Sequence, residues 1–196
     1  RSGRLRLWLV DPKGNEFVQL EREPHVRQPI GMDAEDAIEM LNEAVEEMDR
    51  RYREMKAASR ERGSRIPDIA AYNQLVPEPE RFPWILVVLD EFADLTADRD
   101  ARRTIEGSLQ RLAQKARACG IHCVVATQKP SAEVISTTTR SNLGAQLALR
   151  VRSGTDSRVI MEATGAESLA GNGDGFLRLS GEEPIRLQCA KYTADA

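Results

Sequence analysis

The 196-residue sequence predicts an α/β protein with a mainly parallel sheet, covered on both faces and followed by a C-terminal β-hairpin. Three observations predict it. Short apolar runs at Leu5–Val10, Trp84–Leu89 and Ile121–Gln128 have strand length and lack the polar alternation of a half-exposed sheet. Between them lie segments whose apolar residues recur at spacings of three and four, as on a helix face. The last stretch, 175–190, alternates apolar and polar residues around Ser180-Gly181-Glu182-Glu183, which marks a hairpin.

The elements follow in order. "LRLWLV" at Leu5–Val10 is a strand stopped by Asp11-Pro12-Lys13-Gly14-Asn15. From Asp33 to Arg62 runs one long helix, with Ile38, Leu41, Val45, Met48, Tyr52 and Met55 on its apolar face. Asp33, with Asp36 three residues on, reads as the N-cap and Gly63 as the stop. Its second half carries Arg50, Arg51, Arg53, Lys56, Arg60 and Arg62, which read as a solvated face, against a phosphate contact. Ile66–Pro83 carries four prolines and reads as irregular. Trp84–Leu95 is the central strand and its tip, and 100–118 is a helix with Ile105, Leu109, Leu112 and Ala116 inward. After Ile121–Gln128 the pattern gives a short helix over 131–138, a strand at Ala145–Val151 and a helix at Thr155–Thr164 capped by Thr155 or Asp156.

A chain of this length is expected to form one domain, 1–196, and to bury roughly 70% of the surface its unfolded form exposes. Apolar residues make up 41% and charged residues 30%, which excludes wholesale disorder. No run of 18 apolar residues occurs and Arg1–Arg6 is too basic for a signal peptide, so a cytoplasmic location is expected. Cys119, Cys123 and Cys189 show no metal spacing and read as inert thiols, and His25 and His122 as packing or surface residues. The net charge of −3 does not advertise nucleic-acid binding, which would have to rest on local arginine clusters or on assembly into a ring.

The chemistry concentrates in "WILVVLDEFADL", Trp84–Leu95, where the most apolar run ends in Asp90 and Glu91. Ligands of open parallel α/β sheets bind outside the carboxyl ends of the strands. Two acids there can divide labour: one holds Mg²⁺, and the second orients and deprotonates an attacking water. That is the Walker B arrangement; the alternative is that the pair merely begins a loop. "VVATQKPS" ends a neighbouring strand in Thr127 and Gln128, uncharged groups suited to sensing a γ-phosphate.

"DPK" at Asp11–Lys13, "VVLDEFADL" at Val87–Leu95, "RLAQKARACGIHCVVATQKPS" at Arg111–Ser131, "DSRVI" at Asp156–Ile160 and "GAESLAGNGDG" at Gly165–Gly175 together resemble the motor domain of the FtsK/SpoIIIE DNA translocases. The resemblance implies a three-layer, RecA-like P-loop NTPase core that forms a homo-hexameric ring. It implies ATP and Mg²⁺ as cofactors, and double-stranded DNA pumped through the ring in chromosome partitioning or DNA transfer. It implies Asp90 as the Mg²⁺-binding acid, Glu91 as the base and Gln128 as the sensor. Arg117 is the first choice, and Arg158 the second, for an arginine reaching the neighbouring subunit's ATP.

The pattern departs from the family at one point: no GxxxxGK(S/T) occurs in these residues, and "GNGDG" at Gly171–Gly175 lacks the lysine that would replace it. The expectation is a C-terminal portion of a motor core, starting after the phosphate loop, hydrolysing ATP poorly alone and membrane-associated only through segments not present here. The competing expectations are a type VII secretion or conjugation ATPase of the same family, and a non-catalytic ring subunit. A dinucleotide-binding dehydrogenase is the weakest alternative, for want of GxGxxG after an early strand. Arg99, Arg102 and Arg103 are candidates for facing a DNA channel, against surface solvation.

Overall fold

The computed structural model describes residues 4–191. The chain divides into two compact units, Arg1–Thr127 and Gln128–Ala196.

In the first unit, β1 (Leu5–Val10), β2 (Trp84–Leu89) and β3 (Ile121–Val125) form a parallel sheet in the order β1-β2-β3, as the apolar runs predict. Residues 25–31 line the outer edge of β1 through bridges Leu7–Val26 and Val10–Gly31, so that edge is protected. β3 is the other edge of this sheet.

The helix α1 (Ala34–Arg62) begins and ends where the sequence places it. The Asp33 carboxylate accepts from the Asp36 amide at 2.9 Å, and Asp36 reaches back to the Met32 amide at 2.7 Å. Gly63, at φ 65°, closes the helix in the left-handed region that glycine adopts without strain. Leu41, Val45, Met48 and Met55 are buried as expected, whereas Ile38 and Tyr52 are half-buried and Ala37, Met40 and Ala44 take their place. Arg51 is a correction. It is fully buried rather than part of a solvated face, because its neighbours give it an ion pair, a carbonyl and a ring to lie against.

Residues 66–83 are more ordered than the prolines suggest. They hold α2 (Ile69–Leu75), started by Asp68 accepting from Ala71, and a 3₁₀ turn at Glu78–Glu80. The central stretch 84–95 is a strand only to Leu89; after Asp90 and Glu91 it becomes the short helix α3 (Phe92–Leu95). The helix α4 (Arg99–Lys115) is capped by Asp98 and ends in a 3₁₀ turn, Ala116–Cys119, with Ile105, Leu109, Leu112 and Ala116 buried as expected. Ile85, Val87, Leu89, Ile121 and Val10 are buried on one sheet face. On the opposite face Leu5, Trp84 and Val124 are exposed.

In the second unit the pattern predicts a helix over 131–138, but the structure has α5 at Thr137–Asn142, capped by Ser136. The strand after it, β4 (Ala145–Leu149), pairs antiparallel with β5 (Asp174–Leu179), which pairs with β6 (Ile185–Gln188). The hairpin is therefore 174–188 rather than 175–190. The helix α6 (Gly154–Met161) is capped by Ser153, not Thr155 or Asp156. Ala148, Met161, Ala166 and Leu169 form the core against one sheet face. The other face presents Leu147, Leu149, Leu179 and Ile185, all exposed.

No helix among the described residues is long and apolar enough to cross a membrane. Cys119 is buried, and burial pushes its thiol up to about 11 and that of Cys123 to about 12. His122 stacks on Trp84 with centroids 5.6 Å apart.

Asp174 ties the glycine loop 171–175 to the hairpin. It accepts from Arg186 Nε and Nη2 at 2.9 and 2.8 Å and from the Ala170 amide at 2.8 Å, which hold its carboxyl down at about 2. A depressed carboxyl stabilises the fold above its unfolded value, here 3.8, and the contribution disappears as pH falls through the folded value. Protection factors of the β5 and β6 amides, corrected for the intrinsic pH dependence of exchange, should fall between about pH 4 and 2 in the native chain. In Asp174→Asn they should already be low at neutral pH and lose that dependence.

Candidate functional site

The site is built at the carboxyl tips of β1, β2 and β3, which three backbone hydrogen bonds lace together. The Asp90 amide donates to Val10 O at 3.0 Å, the Ala126 amide to Leu89 O at 2.9 Å, and the Phe92 amide to Ala126 O at 2.8 Å. Glu91 is thus bracketed by two anchored neighbours. The chain turns there from strand to helix with Glu91 at φ 39°, ψ 63°, a left-handed conformation that costs a side-chain-bearing residue roughly 1–2 kcal/mol. Such strain persists where surrounding structure over-determines it, and it clusters at active sites.

The Glu91 side chain is 3% exposed. Its Oε2 accepts from Lys13 Nζ at 3.1 Å and its Oε1 from Thr127 Oγ1 at 2.8 Å. Both partners come from the tips of the flanking strands, so the carboxylate is fixed from two sides.

Lys13 is delivered by a turn that Asp11 organises. The Asp11 carboxylate is 1% exposed and accepts four backbone amides: Lys13 and Gly14 on Oδ1 at 3.1 and 2.9 Å, Glu16 and Phe17 on Oδ2 at 2.7 and 3.1 Å. Burial pushes its carboxyl up, but the four amides together outweigh that and hold it below the ordinary value. Gly14 at φ 66° lets the turn close. The Lys13 ammonium is raised above its ordinary value, chiefly by the hydrogen bond it donates to Glu91, and also by the charges of Glu91, Asp94 and Asp90.

Asp90 is half-buried, and its carboxyl is raised, first by burial and then by the like charges of Asp11, Glu16 and Glu91. A carboxylate so placed gains from a cation. Among the described residues no three His, Cys, Asp or Glu side chains gather closely enough to hold a metal alone. Mg²⁺ characteristically takes one or two carboxylates and completes its shell with water and phosphate oxygens.

The structure thus joins Asp90, Glu91 and Thr127. Gln128 is the next residue, exposed, and opens the second unit. Arg117 is exposed on the 3₁₀ turn Ala116–Cys119, and among the described residues its side chain has no hydrogen-bond or ion-pair partner. Arg158 is exposed on α6, with Glu167 in electrostatic range. Arg102 donates from Nε to Thr96 O at 3.1 Å, which commits it to the α3–α4 connection; Arg99 and Arg103 are exposed. Sequence reasoning did not assign functions to Asp11 and Lys13, although an aspartate three residues before a glycine at a strand end is itself a turn signal.

If Asp11 holds the Lys13 turn, Asp11→Ala should lower stability by about 1.5–3 kcal/mol, the range for hydrogen bonds to a charged group. Hydrogen exchange should show the lost protection concentrated at the amides of residues 13–17.

Residues 1–132 match the FtsK/SpoIIIE family. The chain is 43% identical over 188 residues to the DNA translocase SftA of Bacillus subtilis (strain 168), covering 94% of this chain and 19% of that protein. It is 40% identical over 204 residues to the DNA translocase FtsK of Mycobacterium leprae (strain TN), covering 96% and 23%. It therefore spans about a fifth of the length of the curated relatives it matches. Among solved structures, the pCW3 conjugation coupling protein TcpA, in monomer form with ATPγS, superposes with a TM-score of 0.77 at 28% identity, over 95% of this chain and 52% of that one. The cytoplasmic domain of the Thermomonospora curvata type VII secretion ATPase EccC shares the fold, with a TM-score of 0.75 at 22% identity over 96% and 22%. The fold is that of RecA-like ATPase domains. On the matched residues and on identity of 40% or more over nearly its whole length, the chain belongs to the FtsK/SpoIIIE family.

Proposed function

We propose that the chain is part of an ATP-driven double-stranded DNA translocase motor that works in the cytoplasm as a homo-hexameric ring. Asp90 holds Mg²⁺ together with nucleotide phosphates, Glu91 deprotonates the attacking water, and Thr127 and Gln128 read the γ-phosphate. Arg117, with Arg158 as second choice, reaches the ATP of the neighbouring subunit. The observation that carries the reading is Glu91: strained, buried, and fixed by Lys13 and Thr127 at the carboxyl tip of a parallel sheet. A carboxylate buried and fixed by a lysine and a threonine from two neighbouring strand tips is more than the start of a loop requires. The names of the relatives, DNA translocases, supply the cargo.

The phosphates require a cradle that these 196 residues do not encode, since no GxxxxGK(S/T) is present. The motor core therefore takes its phosphate loop from outside this stretch, and the chain alone turns over ATP poorly. Two features support this. Leu5, Trp84 and Val124 are exposed on a parallel sheet, an architecture that buries both faces, and Leu147, Leu149, Leu179 and Ile185 form a second exposed apolar face.

The test is ATP turnover, with and without linear duplex DNA, by this chain and by the chain extended upstream through its reading frame to include a phosphate loop. The extended form should be DNA-stimulated, and Glu91→Gln should reduce its rate by roughly 10²–10⁴-fold. Arg117→Ala should reduce it by roughly 10³–10⁵-fold, and mixing Arg117→Ala with Glu91→Gln subunits should restore activity at interfaces that combine both intact groups. Turnover by the chain alone that Glu91→Gln abolishes would contradict the split site. Similarity to TcpA favours a second reading, plasmid DNA as cargo in conjugation; stimulation by a peptide signal and not by duplex DNA would instead indicate protein cargo.

A further inference from the structure

Two residues of α1 that no functional reading uses converge on the turn that carries Arg117. Arg51 is fully buried, yet it is a cation. Its Nε donates to Glu47 Oε1 at 2.7 Å, its guanidinium lies 5.2 Å from the centre of the Phe82 ring, and its Nη1 donates to the carbonyl of Cys119 at 2.8 Å. One residue along, Tyr52 donates its hydroxyl to the carbonyl of Lys115 at 2.5 Å. Lys115 is the last residue of α4, and Cys119 the last of the 3₁₀ turn Ala116–Cys119. The two contacts therefore clamp the turn immediately before it and at its last residue, with Arg117 between them and exposed to solvent. A helix end leaves its last carbonyls without intrahelical donors; here α1 supplies two of the missing donors from side chains.

A structural account alone does not explain the choice of an arginine. Burying a guanidinium is expensive unless it is paired, and replacing a buried ion pair whole by well-packed apolar side chains is often neutral or stabilising, whereas removing one partner alone is strongly destabilising. Its Nη2 also has no partner among the described residues. What a guanidinium does that Met or Leu could not is reach a carbonyl 68 residues away while held in orientation by Glu47.

We infer that Arg51 and Tyr52 are positioning residues for Arg117: α1 is a brace that fixes the direction in which the trans-acting arginine leaves its subunit. The inference rests on the reading of Arg117 as that arginine. Removing the brace would loosen the turn that carries Arg117.

His122 provides a reporter on the chain as it stands. Its pKa is lowered first by burial and then by the positive charge of Arg117, so a displaced Arg117 must let it rise. NMR titration of His122 should show its pKa rise in Arg117→Ala, and rise in the same direction in Arg51→Met and in the milder Tyr52→Phe. Adding either brace substitution to Arg117→Ala should change nothing further. A purely structural role for the brace would instead give shifts that add to that of Arg117→Ala, and that result would overturn the inference. So would an unchanged His122 in both brace variants, or an unchanged His122 in Arg117→Ala. Whether Arg117 acts on a neighbour's ATP is read separately by the subunit-mixing assay, so failure of that reading is distinguishable from failure of the brace.

Discussion

The lacing of three strand tips is the constraint on which the site depends. Because Asp90 and Phe92 both donate their amides to adjacent chain segments, Glu91 has no freedom to relax into an ordinary strand or helix conformation. The strain is small beside the apolar burial of the sheet beneath it, where Val87 and Leu89 are fully buried. Once the backbone is set, the side chain has one direction to take, between Lys13 and Thr127. Each comes from a different strand, so moving any one tip disturbs all three.

Buried charge recurs as the device that fixes turns at the ends of strands and helices. The Asp11 carboxylate organises a turn by accepting four amides, and the turn delivers Lys13. The Arg51 guanidinium, paired with Glu47, holds the turn that delivers Arg117. In each case a charged side chain inside the protein satisfies backbone groups that a strand end or helix end leaves open. Surface pairs such as Arg111 with Asp49 contribute little by comparison, since solvent screens them.

Most of the fold was legible because periodicity reports burial. The runs at Leu5–Val10 and Trp84–Leu89 and the caps Asp33 and Gly63 fall where local chemistry places them. The misreadings have physical causes. Proline content masked α2, since none of the four prolines lies between Ile69 and Leu75. Arg51 looked solvated because its three neighbours, Glu47, Phe82 and the Cys119 carbonyl, span 72 residues of sequence, a distance that no local pattern reports. The acids Asp90 and Glu91 were visible as an abrupt end to an apolar run. The clamp on Glu91 was not, because it depends on parallel register between strands more than 30 residues apart.

Equilibrium urea unfolding of Glu91→Gly tests most directly the proposal that Glu91 is held for chemistry and not for stability. Glycine adopts the left-handed conformation without strain, and the relief offsets the lost contacts to Lys13 and Thr127. The expected change in stability is within about 1 kcal/mol of the native chain. A loss of several kcal/mol would contradict it and make Glu91 a structural residue.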